Sequence, residues 1–119
     1  MPEWNIVFYV APDGRCPVEE FITGLPERVQ ARLTHVFELL QTYGLQVGEP
    51  FVKSIHGVRK LAEIRVRVSS DSYRIFFFTH TGRKMVLLHG FVKKSQKTPA
   101  GEIRLAQQRM QDYLRRTGG

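Results

Sequence analysis

Between Ala62 and His89 three strand-like segments are separated by two short polar turns, and this arrangement constrains the fold more than any other feature of the chain. In the first segment Ala62, Ile64, Val66 and Val68 alternate with Glu63, Arg65 and Arg67. One face is therefore apolar and the other charged, with Arg65 and Arg67 pointing the same way. Ser69 to Ser72 reads as a turn. Tyr73 to Thr79 is apolar on both faces apart from Arg74, the pattern of a central strand covered on both sides. His80 to Arg83 reads as the second turn and Met85 to His89 as the third strand. Turns this short join antiparallel neighbours.

The rest of the chain supplies what such a sheet packs against. Trp4, Ile6, Phe8 and Val10 alternate and predict a strand over Trp4–Val10, followed by the turn Ala11-Pro12-Asp13-Gly14. Pro17 suits the first position of a short helix that Gly24 stops. Pro26 opens a second helix, where Val29, Leu33, Val36, Phe37 and Leu40 recur at helical spacing until Gly44. Residues 45–60 carry Gly48, Pro50 and Gly57 and read as a loop. Thr98 is a natural N-cap, with Pro99 at the first position of a last helix whose buried stripe is Ile103, Ala106, Met110, Tyr113 and Leu114. The order β-α-α-β-β-β-α predicts an α+β fold, with helices packed on a small, mainly antiparallel sheet and the sheet's other face free. Arg65 and Arg67 point to that free face. A length of 119 residues suits a single domain spanning 1–119.

Charge is unevenly spread. The net charge is +7, yet the stretch from Lys53 to Lys97 holds eleven Lys and Arg against only Glu63 and Asp71. The remainder holds seven basic and nine acidic residues. That asymmetry points to a polyanionic partner, with a solvated basic surface as the plainer alternative. No apolar run approaches the ~20 residues of a membrane span. The Met-Pro-Glu-Trp start is not that of a signal peptide, and the lone Cys16 fits a reducing cytoplasm. His35, His56, His80 and His89 form no HExxH-type or CxxC-type ligand pair, so no metal is expected. There is no glycine-rich phosphate loop and no GxSxG elbow, so no cofactor and no serine nucleophile is expected either.

What remains is a basic constellation. A buried guanidinium is costly unless it is paired or reaches a ligand, so Arg74 is expected either in an ion pair with Glu63 or Asp71 or at a phosphate, and the two are compatible. Lys93, Lys94 and Lys97 follow the third strand as RNA contacts or as a solvated loop. Phe91 beside them is a core residue or a ring on which a base stacks. Lys53 and Lys60 complete the candidate RNA contacts. His89 stands at a strand end, either as a catalytic imidazole or as a hydrogen-bonded core residue.

Glu63-Ile64-Arg65-Val66-Arg67, Tyr73-Arg74-Ile75-Phe76-Phe77 and, above all, Leu87-Leu88-His89-Gly90-Phe91-Val92-Lys93-Lys94-Ser95-Gln96-Lys97-Thr98-Pro99 resemble the phage-derived branch of the RelE/HigB toxin superfamily. The resemblance implies a type II toxin–antitoxin module, in which the toxin enters the ribosomal A site, cuts mRNA and so inhibits translation. It also implies a cognate antitoxin, often with a helix-turn-helix domain. By position, Arg74 resembles the family's arginine that follows a tyrosine and contacts the scissile phosphate. Arg65 and Arg67 resemble its basic pair, and Lys93, Lys94 and Lys97 its lysine cluster. The tyrosine that some relatives carry near the last helix is not matched by Tyr113, which lies in the apolar stripe. A lysine or arginine can serve as general acid, but a histidine is better matched near neutral pH; His89 is the well-placed one, with His56 as a lesser candidate. Such an endoribonuclease directs the 2′-hydroxyl onto the adjacent phosphate and needs neither a metal nor a protein nucleophile. The alternatives are a basic domain that binds nucleic acid without cutting it, and a degenerate toxin that only binds an antitoxin.

Overall fold

The computed structural model describes residues 3–94 and 99–118. The elements are β1 (Asn5–Phe8), α1 (Pro17–Thr23), α2 (Glu27–Tyr43), β2 (Val52–Ser54), β3 (Ala62–Val68), β4 (Asp71–His80), β5 (Lys84–Lys93) and α3 (Ala100–Thr117). The sheet has five strands in the order β1-β5-β4-β3-β2. β2 to β5 pair antiparallel in chain order, and β1 joins the far edge parallel to β5. The α+β reading and the mainly antiparallel sheet are borne out.

The alternation along β3 does what its sequence implies. Ile64 and Val66 turn into a core shared with Tyr73, Ile75, Phe77, Met85 and Leu87, and the stripe Val29, Leu33, Val36 and Leu40 of α2 closes over them. Pro17 occupies the first turn of α1, as expected. Pro26 and Pro99 each stand one residue before their helix, where a fixed φ and a missing N–H cost nothing. The cap residue expected there, Thr98, lies outside the described residues.

The structure corrects four expectations. First, the sheet's second face is not free. α3 lies across part of it, and Ala106, Ile103, Met110, Tyr113 and Leu114 pack on Tyr9, Phe76, Phe78, Val86, Leu88 and Phe91. β4 is apolar on both faces, and Phe76 and Phe78 need this second cover. Second, residues 45–60 are not all loop. A 3-10 turn over Gly44–Val47 leads into β2, which at three residues is too short for its period to be read. Third, the first strand ends at Phe8. Trp4, Ile6 and Phe8 pack on the α2 side, whereas Val10 is exposed after the chain has left the sheet. Tyr9 turns the other way and donates its hydroxyl to Asp112 of α3 at 2.7 Å.

Fourth, β5 does not stop at His89 but runs on through Gly90 to Lys93. Gly90 marks a close approach, because a Cβ there would lie 2.3 Å from the Phe21 ring of α1. The turns shorten accordingly: Asp71 and Ser72 belong to β4, as does His80. Gly90→Ala should therefore destabilise the fold by about 1–3 kcal/mol through overpacking, measured by denaturant unfolding. Gly101→Ala, where a Cβ meets nothing within 4 Å, is the control and should not lower stability.

Candidate functional site

Strand register assembles the basic constellation. Residues directly opposite each other across antiparallel strands share a face. Arg65 pairs with Arg74, and Arg74 with Phe91. Arg67 pairs with Ser72, and Ser72 with Lys93. On the other side Lys53 pairs with Glu63, Glu63 with Phe76, and Phe76 with His89. These three rows form one grid on the face that carries α3. The helix covers Phe76 and Phe91, while Lys53 and Arg67 are exposed and Arg65 and Lys93 partly so.

Arg74 is the centre of the grid, and only 7% of its side chain is exposed. Its Nη1 donates to Glu63 Oε1 at 2.7 Å and its Nε to Ser72 Oγ at 2.8 Å. Glu63 is one of the two partners the sequence suggests, whereas Ser72, read there as part of the turn, is not. Arg65 Nε stands 3.5 Å from the same Glu63 oxygen, and Glu63 Oε2 is buried without a hydrogen-bond partner among the described residues. One carboxylate thus holds two arginines side by side. Burial pulls the Arg74 guanidinium below its ordinary value, the Glu63 charge opposes that shift, and Arg65 and Arg67 reinforce it. A guanidinium still remains charged at physiological pH. Among the described residues nothing accepts from Arg74 Nη2, so the fork keeps donors for a ligand.

Lys93 lies on β5, not beyond it, and its ammonium is lowered first by burial and then by Arg74. Lys94 follows as an exposed residue, and Lys97 lies outside the described residues. Lys53 and Lys60 are exposed and line a cavity of about 690 Å³ with Leu45, Val58 and Phe78, beside the arginines but not among them. His56 is exposed in the stretch before β3.

Phe91 and His89 both lie on the face that carries α3. Phe91 is buried in the α3-side core, edge-on to Phe76 with centroids 5.1 Å apart. His89 stacks on Phe91 with centroids 5.7 Å apart and has both ring nitrogens engaged. Arg109 Nη1 lies 3.1 Å from Nδ1, and Glu102 Oε1 lies 2.7 Å from Nε2. A guanidinium only donates, so Nδ1 accepts and Nε2 carries the proton toward Glu102. Arg109 Nη1 also donates to Leu88 O at 2.9 Å. Sequence reasoning missed this clamp. Its only signal was charge at positions 102 and 109, flanking the apolar stripe of α3.

A cleft of about 330 Å³ adjoins the arginines at the outer edge of β3. Arg65, Arg67 and Arg74 line it together with Pro50, Phe51, Val66 and Arg32 of α2. Among the described residues no three His, Cys, Asp or Glu side chains gather as metal ligands would.

Removing the Glu63 carboxylate leaves Arg74 buried and unpaired. Glu63→Ala should cost about 3–5 kcal/mol, read from the denaturant midpoint. An unfolding curve equal to that of the unaltered chain would show that Arg74 does not depend on this partner.

A protein family described as "Phage derived protein Gp49-like (DUF891)" matches residues 20–111, a span that includes α2 and the whole of β2 to β5. Comparison with curated protein sequences gave no match.

Proposed function

The chain belongs to the phage-derived Gp49-like family, which is part of the RelE/ParE-like toxin superfamily, and from that premise we propose that it is the toxin of a type II toxin–antitoxin module. It acts as an endoribonuclease that cuts mRNA in the ribosomal A site, and a cognate antitoxin, of helix-turn-helix type, restrains it. It works in the cytoplasm, where its substrate is; no described helix is long and apolar enough to cross a membrane.

The observation that supports this reading best is the bracing of Arg74. Glu63 and Ser72 hold the guanidinium from one side, and Arg65, Arg67 and Lys93 surround it on adjacent register positions. A preorganised cation of this kind matches a phosphate that gains charge. The 2′-oxygen bonds to phosphorus and the bond to the 5′-oxygen breaks, leaving a cyclic phosphate and a 5′-hydroxyl. Arg74 and Arg65 stabilise the added negative charge, and Arg67 positions the strand. The leaving 5′-oxygen takes its proton from Lys93. That ammonium suits the task better than His89, whose Nε2 proton is tied to Glu102 while its Nδ1 accepts from Arg109, because the lysine's hold on its proton is already weakened. The 2′-hydroxyl proton passes to water or to a ribosomal group. Lys94, Lys53 and Lys60 extend the surface along the RNA, Lys97 is a further RNA contact, and Phe91 flanks Arg74 on the same face.

Expression of the chain alone in bacteria should arrest growth, with messages cut within codons. Arrest without cutting would favour a basic domain that only binds RNA, and no arrest a degenerate toxin that only binds an antitoxin. With purified ribosomes, Arg74→Ala should lower the cleavage rate by about 10²–10³; an undiminished rate would remove Arg74 from the chemistry. The lowered Lys93 makes a second expectation. A lysine acid works while protonated, so the rate should fall as pH rises through a value below the ordinary 10.5. Lys93→Ala should be slow throughout and lack that alkaline limb.

A further inference from the structure

We propose that the cleft at the outer edge of β3 is a nucleotide subsite, in which a base lies against Pro50 and Phe51 while the adjoining backbone phosphate is held by Arg32. This rests on the reading of single-stranded RNA as the substrate, and it adds where the neighbouring nucleotide goes.

Three independent features converge there. The first is an open strand edge. β2 covers β3 only from Ala62 to Ile64, so the edge beyond it is bare of strand pairing. The Arg65 amide donates outward to Phe51 O at 2.7 Å. Amides alternate in direction along a strand, so Arg67 turns its N–H and C=O to the same side, two residues further along. One donor and one acceptor spaced along a backbone match the polar edge of a base.

The second is the lining. Pro50 and Phe51 give apolar contact for a ring face, which a phosphate alone would not use. A volume of about 330 Å³ falls at the small end of ligand sites, enough for a nucleotide and too little for a folded partner's element.

The third is charge arriving from the other layer. α2 packs on the opposite face of the sheet, yet Arg32 reaches round the edge to line the cleft. One turn earlier Arg28 donates to Ser69 Oγ in the β3–β4 turn at 2.9 Å. The cationic face therefore does not end at β3 but continues over its rim, on the path a backbone leaving Arg74 would take. Glu49 at the rim, 3.9 Å from Arg65, is the one carboxylate lining the cleft among the described residues.

The test is binding of a short single-stranded RNA at several salt concentrations, with an abasic ribose-phosphate strand of equal length as comparison. Arg32→Ala should weaken binding several-fold at low salt and flatten the log–log salt slope by about 0.7, one phosphate contact. Arg104→Ala, at an exposed arginine on α3 away from the cleft, should keep the slope. The Arg67 amide resonance should shift with RNA and much less with the abasic strand. No binding by the unaltered chain at low salt, equal slopes for all three proteins, equal losses in both variants, or an Arg67 amide indifferent to the base would each overturn the subsite. Cleavage by Arg74→Ala is a separate measurement: full activity there would sink the catalytic reading, while the subsite stands or falls on binding.

Discussion

The buried ion pair between Glu63 and Arg74 is what the rest of the basic face depends on. A guanidinium so withdrawn from water has to be paired, and its partner arrives through strand pairing rather than through a flexible loop. Because Glu63 and Arg74 belong to adjacent strands, their separation is fixed by the sheet. The same carboxylate attracts Arg65, so two positive charges that would otherwise repel are kept next to each other. Surface ion pairs contribute little to stability. This one matters for a different reason: it fixes where a charge stands.

The last helix completes the arrangement from above. It shields Phe76, Phe78 and Phe91, and through Arg109 and Glu102 it immobilises His89 against Phe91. Tyr9, which donates to Asp112, lies between Arg109 and Arg116, whose guanidinium groups stand 6.0 and 5.6 Å from its ring. The hydroxyl's hydrogen bond, and after it Arg116, hold the Asp112 carboxyl below its ordinary range. The helix is thus tied to the residue just after β1 at one end and to β5 further back. The grid is open only beyond the part of the sheet that α3 covers.

Much of this was legible in the sequence, for physical reasons that differ by element. β3 and α2 were readable because a period of two and a period of 3.6 leave unmistakable marks over seven and seventeen residues. Arg74 was readable as a cost needing a partner, and Glu63 stood among the two partners named. β2 was not, since three residues carry no period. Gly90 misled because glycine signals both a break and a close contact, and only the position of Phe21 distinguishes them. The His89 clamp and the reach of Arg32 depend on how helices dock on the sheet, and no spacing along the chain encodes that.

The parallel pairing of β1 with β5 has a consequence for how the molecule comes into being. Asn5 and Lys84 are register partners, so β1 finds its place only after β5 has been made. The β3-β4-β5 meander, by contrast, is closed by two short turns and forms through local contacts. On a ribosome the strands that carry the arginines can therefore assemble among themselves, while β1 waits for β5. In a protein read as attacking translation, the surface proposed to act is built from local hairpins, and the pairing of β1 with β5 is the long-range contact that completes the sheet.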